Sequence, residues 1–96
     1  MILIDECVSH WLQEFLENNG IKERIVCVSQ NEGLKGLSDE ALDLYAKIAE
    51  AYSHKPSILI TQDYAFFNDY RGLKVWYKHD EWHRMLKRLK RLLKNY

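Results

Sequence analysis

Aliphatic residues open the chain without interruption. Ile2, Leu3 and Ile4 show no polar alternation, and two acids, Asp5 and Glu6, follow them directly. A run that is apolar on both sides suits a strand in a parallel sheet covered on both faces. The pattern returns at Ser57-Ile58-Leu59-Ile60-Thr61-Gln62-Asp63, again ending on an acid. Between these runs, Val8, Trp11, Leu12, Phe15 and Leu16 recur at helical spacing, and Asn18-Asn19-Gly20 supplies a stop. Arg24–Val28 is rich in β-branched residues and predicts a second strand. Ser29–Leu37 holds two glycines and no period, which predicts a loop.

Ser38 is a preferred helix cap, and Asp39 and Glu40 sit in the first turn behind it, where acids favour the helix dipole. The apolar face expected for that helix is Ala41, Leu42, Tyr45, Ile48, Ala49 and Tyr52, and Pro56 prevents its continuation. After the third strand, Tyr64, Phe66 and Phe67 predict a short helix or turn, and Lys74–Tyr77 a short fourth strand. Asp80 is the expected cap of a last helix whose apolar set is Trp82, Met85, Leu86, Leu89, Leu92, Leu93 and Tyr96.

The order of elements is βαβαβ, a short element, then βα. Right-handed crossovers then predict an α/β fold: a three-layer sandwich with a short, mostly parallel four-stranded sheet in the order 2-1-3-4, flanked by helices. Strands 1 and 3 become neighbours, so Asp5 and Asp63 meet at the carboxyl edge, where open α/β sheets bind ligands.

The chain has 96 residues, 47% of them apolar, which predicts one domain over 1–96 with a single core. No apolar run is long enough for a membrane span, and the chain opens on a strand rather than on a signal peptide. Two cysteines, Cys7 and Cys27, are too few for a disulfide framework; they read as reduced thiols and the protein as cytoplasmic. The formal net charge is zero, yet residues 1–70 carry 12 acids against 5 Lys and Arg, whereas residues 71–96 carry 2 acids against 9. Such asymmetry points to a nucleic-acid partner or to an acidic site with a basic rim; its plain alternative is neutralisation within one fold.

Asp5, Glu6, Asp39, Glu40 and Asp63 all fall at the carboxyl end of the sheet or at the start of the helix that faces it. Hard divalent cations take oxygen ligands, and they relieve the repulsion among clustered carboxylates. Near a phosphodiester such an ion polarises a phosphoryl oxygen and generates a nucleophile from water. The chain carries no zinc-type His/Cys spacing, no Gly-rich phosphate loop, no G-x-S-x-G and no H-E-x-x-H.

Three segments carry a family likeness: Leu3-Ile4-Asp5-Glu6-Cys7, Gly36-Leu37-Ser38-Asp39-Glu40 and Leu59-Ile60-Thr61-Gln62-Asp63-Tyr64-Ala65-Phe66. Together, over roughly residues 1–67, the chain resembles the small PIN-like proteins related to the Mut7-C domain, within the PIN nuclease superfamily. The resemblance implies a metal-dependent endoribonuclease, often the toxin of a toxin–antitoxin pair, using Mg²⁺ or Mn²⁺. It implies Asp5, Asp39 and Asp63 as the catalytic, metal-binding acids, with Glu6 close by. The chain departs from the family pattern twice. Cys7 stands where the family has Asn, and Ala65 stands where it has a second Asp; Asp69 follows a few residues later.

The basic face of the last helix, with Arg84, Lys87, Arg88 and Arg91, is a candidate grip for RNA phosphates. Its plain reading is a solvated amphipathic face. Trp76, Tyr77 and Trp82 would stack bases or belong to the core. His79 and His83 are four apart, but His79 precedes the expected cap, which argues against a metal pair. Asp63 also reads as a simple helix cap, Asp39 and Glu40 as first-turn acids, and Glu6 as a helix-start acid. Besides a ribonuclease, the pattern admits a catalytically degenerate member that binds RNA or a protein without cleaving. A phosphoacceptor receiver domain would share the paired acids, but the chain lacks a fifth strand ending in Lys. Exposed basic and aromatic residues leave room for a homodimer or an antitoxin partner.

Overall fold

A computed structural model describes residues 1–79 and 81–95. Its elements are β1 (Ile2–Ile4), α1 (Trp11–Asn18), β2 (Ile25–Cys27), α2 (Asp39–Ser53), β3 (Ile58–Thr61), α3 (Tyr64–Asp69), β4 (Leu73–Trp76) and α4 (Trp82–Lys94). The four strands form one sheet in the order β2-β1-β3-β4, as expected, and every pairing is parallel. Ile4 lies level with Cys27 on one side and Ile60 on the other, so β1 and β3 are the two central strands.

Strand alternation sends neighbouring side chains to opposite faces. Ile2, Ile4, Ile58 and Ile60 pack with Leu12 and Leu16 of α1 and with Met85 and Leu89 of α4. Leu3 and Leu59 point the other way and pack with Leu42 and Ala46 of α2 and Phe66 of α3. Both faces are therefore covered, which is why Ile2–Ile4 and Ile58–Ile60 carry no polar position. Burying one such aliphatic side chain contributes roughly 1.5–3 kcal/mol.

The helices differ from expectation at their edges. Trp11 is 60% exposed although its spacing put it on the apolar face. Phe15, one turn later on the same flank, is covered by Trp82 at 5.1 Å and by His83 of α4, whereas Trp11 has the ring of His10 beside it. In α2 the buried positions are Leu42 and Ala46, while Ile48 and Tyr52, also expected in the core, are 49% and 85% exposed. The covered stripe of α2 is narrower than its apolar stripe. The expected loop after β2 opens with a short 3₁₀ turn, Val28–Gln30, and is anchored by buried Leu34. Ser38 caps α2 as expected, its hydroxyl accepting from Ala41 N–H at 3.2 Å. The left-handed His54 (φ 57°) ends that helix. Asp80, the expected cap of the last helix, and Tyr96 lie outside the described residues. Cys7 and Cys27 are both free thiols.

Candidate active site at the carboxyl edge of the sheet

Asp5 leaves β1 and is buried, 7% exposed, with its amide still bonded to Ile60 O of β3 at 3.0 Å. A buried carboxylate needs donors, and Asp5 has three. Its Oδ1 accepts from Glu6 N–H at 2.8 Å, and its Oδ2 accepts from the Thr61 hydroxyl at 2.7 Å and from the Cys7 thiol at 3.2 Å. Thr61 Oγ1 in turn accepts from Asp63 N–H at 3.0 Å. One hydroxyl, itself fully buried, thus ties the two acids that end the two central strands.

Thr61 has no place among the candidates read from the sequence. Its signal was there, a lone hydroxyl closing an aliphatic run two residues before Asp63, but a threonine is an ordinary strand residue.

Asp63 is the cap of α3: its Oδ1 accepts from Ala65 N–H at 3.0 Å and Phe66 N–H at 3.2 Å. The plain reading of Asp63 therefore holds, and it leaves the second carboxylate oxygen of Asp63 without a bond among the described residues. Glu6 is exposed and accepts from Gly36 N–H at 3.4 Å, joining the end of β1 to the segment that leads into α2. Gly36 has φ +82°, a conformation that favours glycine.

Asp39 opens α2, is exposed and accepts no hydrogen bond among the described residues. Its carboxyl is nevertheless pushed above the ordinary range, by partial loss of solvent first and then by the charges of Asp5, Asp63 and Asp69. The charges of Asp5, of Asp63 and of Asp69 at the end of α3 all act on Asp39. Asp39 and Asp69 also line a cleft of about 710 Å³ between α2 and α3, beside Glu40, Asp43 and Arg71. Lys47 there is 3.5 Å from Asp43. Burial raises the Cys7 thiol above its usual value, with the Asp5 charge adding to it, so Cys7 is a protonated donor at neutral pH.

No three His, Cys, Asp or Glu side chains among the described residues stand close enough to hold a metal ion directly. The donor set is nonetheless hard oxygen with mutually repelling charges, which fits Mg²⁺. That ion keeps several waters and is commonly held by one or two carboxylates.

The four basic candidates of α4 have different neighbours. Arg84 is taken by Glu81 at 3.3 Å. Arg88 donates to Trp76 O at 2.9 Å, and Arg88 and Arg91 line a groove with Phe67 and Trp76. Lys87, three residues from Arg84 and four from Arg91, shares their side of the helix. Of the aromatic candidates, Tyr77 is buried and Trp82 packs on Phe15, so both belong to the core. Trp76 is half-buried and fronts the groove.

Compared with family models, curated proteins and solved structures, the chain matches none. No helix among the described residues is long and apolar enough to cross a membrane.

Proposed function

We propose that this chain is a PIN-like, Mg²⁺- or Mn²⁺-dependent endoribonuclease of the Mut7-C-related kind, acting as the toxin of a toxin–antitoxin pair. The observation that carries the reading is the placement of Asp5 and Asp63 behind the two central strands, tied through the Thr61 hydroxyl, with both charges acting on Asp39 at the start of α2. When bound, the ion supplies Lewis acidity for a phosphoryl oxygen and lowers the pKa of an attacking water. The chain's own part is positioning. Thr61 and Cys7 fix the direction of Asp5, the α3 amides fix Asp63, and the Glu6–Gly36 bond holds the start of α2 toward them. Asp39 and the second oxygen of Asp63 remain available to ligands.

Cleavage of a mixed-sequence single-stranded RNA in Mn²⁺, Mg²⁺ or EDTA, beside Asp5→Asn, tests this. Metal-dependent cutting is expected for the wild type and at least a hundredfold less for the variant. Equal cutting by both would remove Asp5 from the reaction.

A second reading has one observation in its favour. All three donors around Asp5 are protein groups, and Ala65 brings no carboxylate to the start of α3. On that reading the domain binds RNA or a protein partner without cutting. Cleavage that is gained only in Ala65→Asp supports decay of the catalytic site.

A further inference from the structure

Arg84, Arg88 and Arg91 are spaced four and three apart and share one side of α4, with Lys87 next to Arg91, whereas Lys90 lies about 100° round the helix from Arg91. The arginine side adjoins the outer strand β4, where Arg88 and Arg91 share a groove with Phe67, Lys74 and Trp76. No acid among the described residues lines that groove. The Lys74 ammonium is occupied by the carbonyls of Phe67 and Tyr70 and sits 4.5 Å from the Phe67 ring centre, so it fixes that ring in place. Tyr64, 57% exposed, continues the aromatic surface: its ring lies 5.2 Å from Trp76 and 6.0 Å from Phe67. The Trp76 indole donates to Gln62 O at 3.1 Å, and Tyr64 directly follows Asp63. Aromatic faces and guanidinium groups therefore run without a break from the acidic edge to α4.

We propose that Tyr64, Phe67, Trp76, Arg88 and Arg91 form a docking platform for single-stranded nucleic acid, whose bases stack on the rings while its phosphates meet the arginines. The exposed ring of Tyr64, backed by half-buried Phe67 and Trp76, suits unpaired bases, and guanidinium both stacks and grips phosphate in two-point fashion, which an ammonium does not. A duplex hides its base faces, and an acidic peptide offers charge without them. The platform rests on the proposed nuclease reading only for its purpose, delivery of a strand to Asp63.

The test is therefore binding in EDTA, where cleavage plays no part. A fluorescent single-stranded 12-mer is titrated at about 0.15 M salt, in RNA and DNA forms, against the wild type, Tyr64→Ala, Arg91→Glu and Lys90→Glu. Retained thermal unfolding shows that each variant is folded. We expect Kd to rise about tenfold for Tyr64→Ala, the loss of one stacked base. The rise for Arg91→Glu should be at least as large, with a shallower salt dependence. For Lys90→Glu, the same charge change about 100° round the helix and outside the groove lining, it should stay under about threefold, because salt screens charges away from the bound strand. Binding by both sugar types supports the platform and removes the 2′-hydroxyl from recognition. Equal losses for Arg91→Glu and Lys90→Glu, equal affinity for a duplex, or equal affinity for polyglutamate would each overturn it. RNA bound through the platform but never cut with metal would sink the nuclease reading and leave the platform standing.

Discussion

The charge of Asp5 acts on Asp39, yet the two acids have opposite surroundings. Asp5 is buried at the end of a central strand and accepts from an amide, a hydroxyl and a thiol. Asp39 is exposed in the first turn of α2, accepts nothing among the described residues, and has three acids as its electrostatic neighbours. One carboxylate is part of the framework; the other is left unsatisfied by it. Where a fold keeps a repelled acid beside a tied one, the unsatisfied acid is the better marker for a missing positive partner.

The largest effect that separates the two is on stability. Asp5→Ala strands the buried Thr61 hydroxyl and the Glu6 amide and should cost about 3 kcal/mol in urea unfolding. Asp39→Ala should change stability by less than about 0.5 kcal/mol. Equal losses would mean that Asp39 is held as firmly as Asp5 and would end the contrast.

A middle-sized effect concerns the ion. Mg²⁺ at ten times its Kd should stabilise the wild type by about 1.4 kcal/mol, read as a rise in Tm of about 8 °C for a domain of this size. Asp39→Asn should reduce that rise at the same Mg²⁺ concentration, because it removes an accessible ligand and part of the repulsion that the ion relieves. An identical rise in both proteins would place the ion away from Asp39.

The smallest effect is in the pH dependence. The Asp39 carboxyl titrates above its ordinary 3.8 in the folded chain, so just above that pH the folded state binds more protons than the unfolded one. Its contribution to stability therefore falls as pH rises through that window, and the fall should be missing in Asp39→Asn. Because Asp39 is exposed, solvent screens the effect, and the expected difference in Tm is about 1–2 °C. A contribution that instead grew with rising pH would show Asp39 paired with a cation of the protein.

The aliphatic runs at Ile2–Ile4 and Ile58–Ile60, the connections between them and the acids behind them determined the parallel sheet and its order. These signals are local or depend on chain connectivity, and periodicity reports which way a side chain points relative to its own backbone. Periodicity does not report what stands opposite. Trp11, Ile48 and Tyr52 lie on apolar stripes, and only the packing of neighbouring helices decided which parts of those stripes are covered. The bond from Thr61 to Asp5 joins residues 56 positions apart, and no spacing within either strand announces it. In the same way, Arg88 and Arg91 became distinct from Lys87 only when β4 placed Trp76 beside one flank of α4. Elements and their order follow from local chemistry; the partner of each polar group depends on which distant segments the sheet brings within about 3 Å.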